Sequence, residues 1–146
     1  MRFLLRTDNH IAGLLLRLAL GIVMLPHGAQ KALGMFEGPG FQDSMGYFTG
    51  THGLPWILGF LAIMAESVGA LALIFGFLTR IAALGIGGVM VAAVYLVHLD
   101  DGFFMNWLGT KSGEGFEYHI LAVGIALALV LRGGGFLSID RALSAR

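Results

Sequence analysis

Across residues 54–77 the chain carries a single ionisable side chain, Glu66, among apolar and small residues. That stretch has the length of a membrane-crossing helix, which needs ~20 apolar residues, and a helix satisfies its own backbone hydrogen bonds in lipid. Residues 11–33, 80–99 and 116–132 repeat the pattern. The sequence therefore predicts an all-α membrane protein, one domain over residues 1–146, built as an antiparallel bundle of four transmembrane helices. Charge agrees with that solvent. Only 12% of residues are charged and 57% are hydrophobic, whereas a soluble domain carries about twice that charged fraction.

The basic residues predict the orientation. Arg2, Arg6, Arg17, Arg80, Arg132, Arg141 and Arg146 fall at one side of such a bundle, and only Lys31 and Lys111 at the other. The positive-inside rule then makes both termini cytoplasmic. Arg2 and Arg6 before an apolar stretch superficially resemble a signal peptide. Arg17 interrupts that stretch, which also outruns the usual apolar core of a signal, so it is expected to be a retained span. The two long outer connections mix glycines with Phe, Tyr, Trp and Met, a composition suited either to interfacial anchoring or to a lid over an outward-facing cavity.

The net charge is zero, without a basic block, which argues against nucleic acid as a partner. The absence of cysteine removes disulfides, a thiol relay, iron–sulfur ligation and Cys-linked haem. Any redox chemistry must then use a bound cofactor or a partner protein. The expected partners are membrane lipid, a quinone, and soluble redox proteins or further copies of the chain.

Small residues mark the faces of the first two spans. Gly13, Arg17, Gly21, Met24 and Gly28 share one side of the first, and Gly59, Ala62, Glu66, Gly69 and Leu73 share one side of the second. Glu66 lies about twelve residues, ~18 Å, from the outer end of its helix, near mid-membrane. A carboxylate there costs several kcal/mol unless it is paired, hydrogen-bonded or protonated. An Arg17–Glu66 contact, direct or through one water, is the expected pairing. Above it, His27, His98 and His119 all fall near outer helix ends. Glu117 and Tyr118 join from the start of the fourth span, and Lys31 shares a face with His27. Pro26 lacks an N–H and is expected to bend the first helix. His10 and His52 read as ordinary terminal and loop residues.

Two chemistries fit such a polar layer. A quinone ring needs donors such as His, Lys or Tyr, while its isoprenoid tail stays in lipid, with Glu66, His27, Lys31 and His119 as proton-handling groups and Arg17, His27, His98, Glu117 and Tyr118 as binding groups. A metal or bis-histidine haem is the weaker fit, since no pair has His-x-x-x-His or Glu-x-x-His spacing and Glu117 and His119 diverge on a helix. Two functions of other kinds stay open: a binding or transport protein for a small molecule or metal, and a non-catalytic scaffold for soluble redox enzymes.

Three motifs carry a family resemblance. "LLLRLALGIVMLPHGAQKALG" resembles the opening of the DoxX family, with its arginine, small-residue helix and His-Gly-x-x-Lys ending. "AESVGALALIFGFLTRIAAL" is similar to that family's second helix and turn, and "GFFMNWLGTKSGEGFEYHILAV" with "GGGFLSIDRAL" to its last loop, helix and tail. The resemblance covers nearly the whole chain. It implies a bacterial four-helix inner-membrane protein and a candidate oxidoreductase subunit. The family name is shared with, or close to, a membrane subunit of a thiosulfate:quinone oxidoreductase, and other members are associated with oxidative-stress and thiol-handling complexes. It also implies that Arg17, His27, Lys31, Glu66, Glu117 and His119 are site residues.

Overall fold

The computed structural model describes residues 5–144, and all regular structure among them is helical. Helix α1 spans Ile11–Leu33 and runs unbroken through Pro26. The His10 imidazole caps its start, accepting from the Gly13 N–H at 2.9 Å. Gly34 ends it in the left-handed conformation (φ 69°), which a side chain would resist. Helix α2 (Gly40–Gly46) continues into a π-helical turn, Tyr47–Thr51. Helix α3 spans Trp56–Phe75 and α4 spans Thr79–His98. Helix α5 covers Glu117–Arg132 and α6 Ile139–Ser144.

Three helices, α1, α3 and α4, are long and apolar enough to cross a membrane. Helix α5 has 16 residues, about 24 Å, somewhat short of a ~30 Å hydrocarbon core. Packing runs around a ring in which α1 meets α3, α3 meets α4, α4 meets α5 and α5 returns to α1. Leu20, Met24, Leu73, Ile86, Met90 and Leu129 fill the middle. Leu15, Leu84, Leu121 and Leu131 are exposed on the outside, an inside-and-outside apolarity that suits lipid rather than water.

Small residues set how closely α1 and α3 approach. A Cβ on Gly28 would stand 2.4 Å from the Glu66 backbone, and one on Gly21 would stand 2.9 Å from the Ala70 carbonyl oxygen. The predicted α1 face is buried as expected, with Leu20 added. On α3 the buried set is Gly59, Ile63, Glu66, Ala70 and Leu73. Ala70 replaces the expected Gly69 because Ala65–Gly69 forms a π-helical turn, which rotates the residues beyond it; Ile63, in place of Ala62, lies before that turn.

The expected Arg17–Glu66 contact does not form. Gly28 lies level with Glu66, so Arg17 sits about three turns, roughly 16 Å, further down α1. Its guanidinium, 1% exposed, is instead spent on backbone carbonyls. Nε donates to Gly134 at 3.1 Å, one terminal nitrogen donates to Leu73 (3.1 Å) and Ile74, and the other to Phe136 (3.3 Å) and Leu137 (2.8 Å). Those carbonyls include the last turn of α3, where a cation complements the helix dipole. The buried Asp140 carboxylate performs the converse task, accepting from the Leu78 and Thr79 N–H groups at 2.7 and 2.8 Å where α4 begins. Arg17 and Asp140 thus tie α1, the α3–α4 turn and the C-terminal segment into one knot.

Candidate functional site

At the other end of the bundle, α1, α3, α4 and α5 part around a cavity of about 920 Å³. His27 and Lys31 enter it from α1, Glu66 from α3, His98 from α4, and Tyr118 and His119 from α5. Six of the eight candidate residues therefore share one space. Arg17 does not, being held in the knot.

Glu117 is also outside the cavity lining. Tyr118 and His119 follow it on the first turn of α5, and successive residues point to different sides of a helix. Its carboxylate accepts instead from the Met105 N–H and the Trp107 indole N–H, both at 3.1 Å. It orders the loop before α5.

The central feature is an ion pair. Lys31 Nζ stands 2.6 Å from a Glu66 carboxylate oxygen, with 27% of the lysine side chain and 5% of the glutamate exposed. Lys31 takes the place that Arg17 was expected to fill, because it lies one turn beyond Gly28 on the face of α1 laid against Glu66. Glu66 is consequently part of the polar layer rather than beneath it. His27 lies within electrostatic reach of both partners.

The imidazoles of His98 and His119 meet with ring centroids 4.3 Å apart. His98 Nδ1 is 2.7 Å from the Glu114 carbonyl oxygen, so that nitrogen carries the proton and Nε2 is left as an acceptor. His119 is 7% exposed, and its Nδ1 has no hydrogen-bond partner among the described residues; the buried Tyr118 hydroxyl has none either. Buried polar atoms without partners are uncommon and call for an explanation. Here they belong to adjacent residues lining one cavity. No group of three His, Asp or Glu side chains suited to a metal ion occurs among the described residues.

Sequence reasoning overlooked His52. Its Nε2 is buried without a partner among the described residues, its ring stands edge-on to Tyr47 at 4.6 Å, and both line the cavity. A histidine in a Gly-rich connection gives no periodic signal, and only the folding back of the α2 segment brings it inward. The other unforeseen feature is backbone geometry. Three π-helical turns, Tyr47–Thr51, Ala65–Gly69 and Val94–His98, border this cavity and supply Tyr47, Glu66 and His98 to it. Such turns are rare and concentrate at functional sites.

Away from its polar end the cavity becomes a cleft between α3 and α4. Leu58, Leu61 and Val68 face Ile81, Val89 and Leu96 across it, and all of these except Val89 are exposed on the apolar exterior. One end can form hydrogen bonds and handle protons, and the other can take only an apolar chain.

Comparison with known proteins agrees with this architecture. The chain is 31% identical over 130 residues to the Bacillus subtilis (strain 168) protein named "Putative oxidoreductase CatD", covering 89% of this chain and 85% of that one. It is 30% identical over 131 residues to "Inner membrane protein YqjF" of Escherichia coli (strain K12), covering 90% of this chain and 91% of that one. No solved structure matches. The DoxX family profile matches residues 12–99, so Tyr118 and His119 lie beyond the matched segment. With three helices of spanning length and apolarity, the protein resides in the bacterial inner membrane. By the extent of the profile match and the near-complete alignment with both relatives, the chain belongs to the DoxX family.

Proposed function

We propose that this chain is an integral membrane subunit of a redox system, linked to quinone or to a sulfur or thiol substrate, whose cavity receives a quinone head group. In this reading α5 is a fourth span, both termini are cytoplasmic and the cavity lies in the outer half of the bundle. The grouping of Arg80, Arg132 and Arg141 away from Lys31 and Lys111 supports that orientation. The oxidoreductase in the name of the Bacillus relative supports the redox assignment.

One observation carries the reading: the polar cluster of Lys31, Glu66, His27, His98, Tyr118 and His119 opens into an apolar cleft between two lipid-facing helices. A quinone has that same division, with two ring carbonyls that accept hydrogen bonds and a tail that belongs in lipid. The Tyr118 hydroxyl and His119 Nδ1, unpartnered among the described residues, are suited to face the ring carbonyls. When bound, a quinone supplies the capacity to take up two electrons and two protons. The chain supplies the proton-handling groups: the Lys31–Glu66 pair and His27, which share the cavity, can deliver or accept protons there. The apolar cleft keeps bulk water from the ring.

The test is to purify the protein in mild detergent, measure co-purified quinone, and titrate a short-tailed quinone by tryptophan fluorescence. Saturable binding near one equivalent is expected, lost in Glu66→Gln and weakened in His119→Ala. Binding that is absent from the wild-type protein, or equal in all three, would remove the quinone assignment.

A further inference from the structure

The end of the bundle that holds the knot contains a second groove, of about 550 Å³, between α4, the last turns of α5 and residues 6–8. Three arginines, Arg6, Arg80 and Arg132, line it. Arg80 draws them together. Its guanidinium donates to the carbonyls of Val130 and Leu131 (the latter at 2.9 Å) and to that of Arg6 at 3.0 Å. It thereby covers the carbonyl end of α5, which would otherwise repel an anion. Thr7 holds the N-terminal strand of the groove in place by accepting from the Gly135 N–H at 2.7 Å.

The arginines at this end divide into two kinds. Arg17 spends its donors on buried carbonyls, as a structural arginine does. Arg6 and Arg132 are exposed, and their guanidinium groups carry no hydrogen bond or ion pair among the described residues. Arg6 and Arg132 thus offer two forked donors matched to phosphate oxygens, beside the charge of Arg80, whose own donors are engaged on carbonyls. The groove's outer wall is apolar: Leu84 is 65% exposed and Leu131 75%, on helices that face lipid.

We infer that this groove binds an anionic phospholipid, with the phosphate held by Arg6 and Arg132 beside the positive charge of Arg80 and an acyl chain lying along Leu84 and Leu131. Basic pockets between membrane helices take such head groups. The apolar wall selects a lipid over a free anion, because inorganic phosphate gains nothing from leucine. Asp8, the one carboxylate in the lining, weakens the site but leaves it net positive.

The experiment uses the full chain in mild detergent and native mass spectrometry, comparing phosphatidylglycerol with phosphatidylcholine. One retained phosphatidylglycerol per chain is expected, in preference to phosphatidylcholine and resistant to excess inorganic phosphate. Arg6→Gln and Arg132→Gln should each reduce retention about fivefold. Arg141→Gln, which removes the same charge outside the groove, should leave it unchanged. Asp8→Asn should raise retention, which keeps the test decisive if an arginine variant misfolds. The proposal is overturned if Arg141→Gln acts like the groove variants, if Asp8→Asn has no effect, if phosphatidylcholine is retained equally, or if phosphate displaces the lipid.

Discussion

Gly28 of α1 lies directly on the backbone of Glu66 in α3, and this contact brings Lys31, one turn further, to within 2.6 Å of the Glu66 carboxylate. A cavity carboxylate and its counter-ion are therefore positioned by the absence of a side chain elsewhere. Gly28→Ala should separate the helices, since the added Cβ would meet backbone atoms at 2.4 Å that cannot rotate away. We expect a loss of about 1–3 kcal/mol in stability and impaired quinone binding, read by thermal unfolding in detergent and by the fluorescence titration.

The two partners of the pair are unequally buried, which makes their replacements unequal. Lys31→Met leaves a carboxylate only 5% exposed without a counter-ion, whereas Glu66→Gln leaves a lysine that is 27% exposed and can turn toward solvent. Breaking a fully buried pair costs about 3–5 kcal/mol; Lys31→Met should approach that range and Glu66→Gln fall below it. The Lys31→Met/Glu66→Gln double variant should be more stable than the sum of the singles indicates. Strict additivity in the unfolding cycle would mean that the pair is uncoupled.

Arg17 and Asp140 should behave as architecture. Arg17→Ala orphans several buried carbonyls, at a cost of about 3 kcal/mol or more, and Asp140→Ala removes the α4 cap, at a cost of about 1–2 kcal/mol. Protein that remains folded should retain quinone as the wild type does. A selective loss of quinone binding with unchanged thermal stability would contradict this division.

The chain has no cysteine, so single introduced thiols report topology cleanly. With four spans and cytoplasmic termini, Gly109→Cys should react with an impermeant maleimide added outside intact cells. Ser144→Cys should react only after the membrane is opened. Labelling of both from one side would exclude α5 as a span.

Three helices, α1, α3 and α4, were legible as spans because lipid imposes one simple demand, a long apolar segment; they and the shorter α5 begin and end within two residues of their expected limits. The partner of Glu66 was not legible. Counting residues from each helix end assumes that all ends lie at the same height, while the actual register follows from the Gly28 contact. The divergence of Glu117 from His119 could be read from their spacing alone. His52 and the three π-helical turns could not: a loop histidine and a widened turn leave no periodic trace, and both arise from tertiary packing.

The knot at Arg17 and Asp140 also has a mechanical consequence. It fastens one end of the bundle, so the helices behave as cantilevers whose freedom grows with distance from the anchorage. The polar end of the cavity lies far from that anchorage, and the cleft between α3 and α4 runs from there, at Leu58 and Leu96, back toward Ile81. Amide hydrogen exchange would show this as a gradient, slowest near Leu73 and Thr79 and fastest near Trp56 and His98. A molecule arriving from the bilayer would then meet the bundle at its most yielding point, while the anchored end keeps its shape.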